Sequence, residues 1–254
     1  MVLIMFIIGF EIECISSIAA PQLKRLLKKA IKTPINLVSD CTIKSTQARP
    51  HQHEFITPPL PQEEANALLV ELFDFCKNND CVANPTTGLH VNVSFQEKIL
   101  NKWINPLHVL EEVEYDRILK KWGREKRLYS RSFEYYYKKI RQRVKTKYKV
   151  NDWTDPYAVK GMTKDQVCKE SIERFIVCVF SGDSDLVDKY NRVTYNRDYD
   201  DKHTCINLNY LKIRGYIEFR MIGGAKYLNN LSSVQEDIEH ILNGMKNTIK
   251  RSPK

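Results

Sequence analysis

The chain has 254 residues and carries a formal net charge of +9, long enough to bury a full core in one large domain or two small ones. Its 43% hydrophobic and 10% aromatic content excludes a disordered chain, and no fixed-period repeat is present. The seven cysteines are odd in number, scattered and without any C-x-x-C pair. That excludes a zinc-ribbon or disulfide framework and leads us to expect a reducing, cytoplasmic setting.

The opening Met1 to Phe10 is apolar but lacks a basic leader and runs directly into Glu11 and Glu13. It is shorter than the roughly 20 residues a spanning helix needs, so a buried first strand is expected, with no membrane partner. In Gly9-Phe10-Glu11-Ile12-Glu13, alternation puts both carboxylates on one face and Phe10 and Ile12 on the other. Two anions on one face of a core strand resist dehydration unless a cation lies between them.

Pro21 then opens an amphipathic helix whose apolar face is Leu23, Leu26, Leu27, Ala30 and Ile31; its other face is rich in lysine, and Pro34 ends it. Ile35 to Ile43 reads as a strand or strand pair bearing Asp40. His51 to Thr57 reads as another strand, with Glu54 facing away from His51 and His53, stopped by Pro58-Pro59. A helix is expected over about Pro61 to Asn78. The run Leu89 to Phe95 alternates strictly, giving one apolar face and one that presents His90, Asn92 and Ser94.

From about residue 97 the pattern turns helical and heavily charged. Between Arg117 and Lys149 there are 14 Lys or Arg against two acids, a local net of +12, so the remainder of the chain sums to −3. Trp122, Tyr129, Phe133 and Tyr135 to Tyr137 interleave with those cations. Cations mixed with stackable rings suit nucleic acid or another polyanion, and a solvated helical face would read the same way. A further apolar helix is expected near Val167 to Phe180. Arg192, Tyr195 and Arg197 then form a candidate grip for an anionic substrate group.

Strands return in Cys205 to Tyr210, with Asn207 and Asn209 on one face, and in Tyr216 to Met221, with Glu218 and Arg220 on one face. Gly223-Gly224 breaks the run, and Ser232 or Ser233 is expected to cap a last helix to about Ile249. Glu11, Glu13, Glu54, His90 and Glu218 could thus line one sheet surface. That oxygen-rich set favours Mg²⁺ or Mn²⁺ over zinc. Arg220 would offer a fixed fork to phosphate oxygens. The chain has neither a G-x-x-x-x-G-K-[ST] loop nor a G-x-G-x-x-G turn, so nucleotide binding through a P-loop or Rossmann turn is not indicated.

In order, G-F-E-I-E, S-D-C-T-I, H-E-F-I-T-P-P-L, G-L-H-V-N-V-S, I-N-L and I-E-F-R resemble the amidoligase family. These are carboxylate-amine ligases related to glutamine synthetase and glutamate-cysteine ligase. The resemblance covers about residues 9–94 and 205–224. It implies an α+β fold: a curved antiparallel sheet with helices on its outer side and, on its hollow face, ATP with two or three Mg²⁺ or Mn²⁺ ions. The catalytic domain would comprise residues 1–96 and 200–254, with a mostly helical basic insertion over 97–199.

By motif position the resemblance implies Glu11, Glu13, Glu54, His90 and Glu218 as metal ligands, Arg220 on the ATP phosphates, and Asn92 and Ser94 along the nucleotide. Asp40 would lie near the incoming amine, and Asn207 toward substrate. Related strands often read H-x-H-x-S, whereas Asn92 stands at the second histidine here. The implied reaction passes the γ-phosphoryl group of ATP to a carboxylate, and an amine then attacks the acyl phosphate. Two other functions fit the same residues: a metal-dependent nuclease, and a non-catalytic nucleic-acid-binding protein acting through residues 117–149.

Overall fold

A computed structural model describes residues 5–97, 109, 112–125, 205–207, 210 and 214–251. The fold is α+β, an open antiparallel sheet with helices. Its central strand is β1 (Phe6–Ser16), the longest at 11 residues. Strands β2 (Asn36–Val38), β3 (His51–Ile56), β4 (Leu60–Pro61), β5 (Gly88–Phe95), β6 (Ile206–Asn207) and β7 (Ile217–Gly223) complete it. The order is β2-β3-β1-β5-β7-β6, with β4 also on β1, and every pairing is antiparallel.

β3 and β4 share one edge of β1 because Pro58 and Pro59 interrupt the ladder between them. Proline has no N–H to donate there. Thr57 bridges the gap: its N–H donates to the Phe10 carbonyl at 2.9 Å, and its hydroxyl accepts from the Phe10 N–H at 2.8 Å. β2 is shorter than the expected run because Asp40 folds the chain back on itself. Its carboxylate accepts from the Thr42 N–H at 2.8 Å and from the Thr42 hydroxyl at 2.9 Å, an Asx-turn that ends extended backbone.

Alternation divides the sheet into two unlike faces. Ile8, Phe10, Ile12 and Cys14 of β1, Leu89, Val91 and Val93 of β5, and Ile217 and Phe219 of β7 are all buried. They share one core with helix α1 (Ala20–Ala30), through Leu23 and Leu27, and with α2 (Gln62–Asn78), through Leu69, Leu72 and Phe73. Phe55 meets Phe75 of α2 edge-on at 5.9 Å, so α2 covers the apolar face. His53 belongs to that face too, as its alternation predicts, with Nε2 2.9 Å from the Ile18 carbonyl.

Helix α3 (Tyr115–Lys121) falls inside the stretch read as an insertion. It buries Ile118 and Leu119 in the same core. It is tied to the last helix, α4 (Leu231–Arg251), where Trp122 Nε1 donates to Asp237 at 2.6 Å and Lys121 Nζ lies 3.1 Å from the same carboxylate. α4 starts one to two residues before the expected serine caps. Its inner residues Val234, Ile238, Ile241, Leu242 and Met245 are buried as the periodicity implies. The rest of the basic stretch, the expected helix near 167–180, and Arg192, Tyr195 and Arg197 lie outside the described residues. Among the described residues, no helix is long and apolar enough to cross a membrane.

Candidate metal centre

The other face of the sheet carries the chemistry, and register sets its layout. Glu13 on β1 pairs with Glu54 on β3; Glu11 on β1 pairs with His90 on β5; Asn92 on β5 pairs with Glu218 on β7, which pairs with Asn207 on β6. Side chains that are paired across antiparallel strands share a face and stand near one another. Residues separated by up to 207 positions in the sequence are thereby brought side by side. Between Leu89 and Val91 the β5–β7 register shifts by one residue, a β-bulge in which Arg220 and Met221 both oppose His90. Bulges of this kind re-aim a side chain next to functional sites.

His90, almost fully buried, stands at the centre with a carboxylate group on each side. Its Nδ1 is 2.9 Å from Glu11 Oε2 and 3.2 Å from Glu218 Oε1, and its Nε2 is 3.5 Å from Glu13 Oε1. Two ligand sets result, Glu11/His90/Glu218 and Glu13/Glu54/His90, each with its donor atoms within 4.8 Å of one another. Asn92 Nδ2 donates to Glu11 at 2.9 Å. Asn207, buried and expected toward substrate, donates to Glu218 at 2.7 Å, and Arg220 donates to the other oxygen of Glu218 at 3.0 Å.

Environment splits the four acids. Burial works to raise the Glu11 and Glu218 carboxyls, but the hydrogen bond and charge of His90 outweigh it. Arg220 and Asn207 add to the pull on Glu218, and both groups fall below the usual carboxylate range. Glu13 and Glu54 go the other way. Burial raises both, and for Glu54 the nearby Glu11 charge helps to push it up to about 7. Burial and Arg220 oppose a charge on His90, yet the surrounding carboxylates raise it to about 9.

Burial holds Glu13 and Glu54 toward their protonated forms, so full ionisation of all four carboxylates calls for a further cation. Asn92 Oδ1 is buried and lacks a partner, an acceptor that a metal ion or a metal-held water would satisfy. Carboxylate oxygens with one imidazole are donors for a hard divalent ion, so the residues present fit such an ion.

Ser94 continues the face beyond Asn92, opposite Ile7. Asp40 stays in its turn but is near enough for its charge to raise Glu13 and Glu54.

One residue of this face escapes the sequence reading. Arg124, buried, reaches the sheet from just beyond α3, and its Nη1 donates to the Thr87 carbonyl at 2.7 Å. Gly88 shares the face of His90, and a Cβ on it would come within 3.0 Å of the Arg124 guanidinium. Gly223, paired with Gly88, takes φ 153°, and a Cβ there would collide with the same group. Arg124 therefore fills the space where two glycines leave no side chain, and its charge lowers Glu13. Only the bare glycines of Gly88 and Gly223-Gly224 hinted at something approaching closely there.

Compared with protein-family models and with curated proteins, the chain matches none.

Proposed function

We propose that the protein is an ATP-dependent carboxylate-amine ligase built on a sheet of the glutamine synthetase type. One observation carries this reading: Glu11, Glu13, Glu54 and Glu218 converge around His90 on one sheet face, with Arg220 at the rim. Glu11, His90 and Glu218 would hold one Mg²⁺ or Mn²⁺ ion, His90 giving up its proton to ligate through a single nitrogen, and Glu13 and Glu54 would contribute to a second. Bound there, such ions neutralise phosphate oxygens and orient them for in-line displacement.

The chain's own residues supply the rest. Arg220, half-buried with one nitrogen on Glu218, keeps a guanidinium beside the acidic set as an anchor for phosphate. Asn92 and Asn207 hold Glu11 and Glu218 in fixed rotamers, so little reorganisation is needed when an ion enters. A covalent enzyme intermediate is not required, so the buried cysteines keep a packing role.

The test is product analysis by mass spectrometry after incubation with ATP, Mg²⁺ and a mixture of amines and carboxylates. An amide product with amine-dependent ADP release, lost in Glu218→Gln, is the expected result. Cleavage of DNA or RNA with Mn²⁺ and without ATP would instead make the site a nuclease centre.

A further inference from the structure

Helix α1 presents Lys24, Arg25, Lys28 and Lys29 to solvent, and Lys32 follows just past its end; all five are exposed. No acidic residue occurs between Ala19 and Ser39, and among the described residues none of the five has an ion-pair partner. The helix rises 1.5 Å per residue, so its four cations lie within about 8 Å of axis in two adjacent rows, with Lys32 just beyond.

Helix stability does not account for the arrangement. Lys28 and Lys29 lie in the last turn, where the helix dipole favours cations. Lys24 and Arg25 sit earlier and gain nothing from it. The pairs Lys24/Lys28 and Arg25/Lys29 are like charges four apart, which destabilise a helix. The helix also lacks an acidic first turn and a side-chain N-cap, devices that would have offset the repulsion. A dense, unpaired positive face kept at a cost in local stability is a face built for an anion.

We infer that α1 is a docking surface for the phosphodiester backbone of a nucleic acid. Charge density selects this partner: a nucleic-acid strand carries one negative charge about every 3.4 Å and at every nucleotide, so it meets these cations with several phosphates. A peptide matches that spacing only where acidic residues run unbroken. A membrane is disfavoured because Leu23, Leu27 and Ile31, the apolar side an interfacial helix would insert, are buried in the protein core. The surface is separate from the metal centre and does not depend on the ligase reading.

The experiment measures binding of the full chain to fluorescent 20-nucleotide RNA and DNA, single-stranded and duplex, between 50 and 200 mM salt. The comparison is with Lys24→Gln/Lys28→Gln/Lys29→Gln. Gln retains helix propensity and leaves the buried stripe intact, and an unaltered far-ultraviolet circular dichroism spectrum shows that the variant is folded. We expect binding at least about tenfold weaker at 100 mM salt, with the slope of log affinity against log salt shallower by about 2 to 3. Unchanged affinity and slope overturn the inference. So does a loss seen only with phosphatidylserine vesicles or polyglutamate. Glu218→Gln in parallel should leave nucleic-acid affinity intact while abolishing amine-dependent ADP release, so that failure of either idea is read separately.

Discussion

His90 looks onto two carboxylate groups that differ in everything but their chemistry. On the Nδ1 side, Glu11 and Glu218 receive donors from Asn92, Asn207 and Arg220 and stay ionised. On the Nε2 side, Glu13 and Glu54 have no amide donor among the described residues, and burial raises both. The first group is already compensated by the protein. The second has to take up a proton or a cation from outside. Pre-organisation and demand for an ion are therefore separated across one imidazole, and each half should respond differently to the same kind of substitution.

The largest effect should come from removing what the halves share. His90→Ala deletes the imidazole that both groups face and leaves four carboxylates close together. Mn²⁺ affinity measured by calorimetry should fall at least about 100-fold, more than the loss usual for a group that only supports a ligand. A fall confined to one of two binding steps would show that His90 serves one group alone.

Next comes a paired substitution in the metal-free protein. Glu218→Gln removes the carboxylate that meets both His90 and Arg220, so the buried imidazole and the half-buried guanidinium lose a partner; breaking such a pair costs about 3 kcal/mol or more. Glu218 is held below its usual range, so this stability is present in full at neutral pH and is lost only as pH falls through its folded-state value. Glu54→Gln should do the reverse. Its carboxyl rises from 4.5 to about 7 on folding, so the folded state keeps the proton and stability declines as pH climbs through that window.

The Gln variant has nothing to ionise. Glu54 is half-exposed, so solvent screens the effect to on the order of 1 kcal/mol, a gain of about 2–4 °C in melting temperature at pH 8 with chelator present. The same variant should bind metal more weakly. Equal melting temperatures for Glu54→Gln and the parent at pH 8 would remove the contrast between the two groups.

Much of this layout was legible because side-chain alternation is a local rule. Glu11 and Glu13, or His90 and Asn92, share a face by strand geometry alone, and the opposite face of each strand is apolar. What alternation cannot give is register. Nothing local says that Glu13 lies across from Glu54 and Glu11 from His90, nor that a bulge sets Arg220 and Met221 together against His90. It also cannot tell whether Asn207 faces substrate or, as found, a carboxylate. Arg124 was hidden for another reason. It comes from a segment whose charge reads as solvated, and its place on the face is marked only by the missing side chains of Gly88 and Gly223.

The smallest effect tests how the weaker half is held. The Tyr227 hydroxyl, in the single-turn helix Tyr227–Asn229 after β7, donates to the backbone carbonyl of Glu13. The ring is fully buried and meets Phe73 of α2 edge-on at 6.3 Å. Tyr227→Phe keeps that packing and removes only the donor, leaving the carbonyl without this bond at a cost of about 1 kcal/mol. If this anchor fixes Glu13, Mn²⁺ affinity should fall modestly, by less than tenfold, and the loss should vanish in a Glu13→Gln background, where the side chain it positions no longer binds. An equal loss in both backgrounds would mean that Tyr227 supports the fold but not the ligand. The coupling between a packing residue of the apolar face and a ligand of the polar face would then be absent.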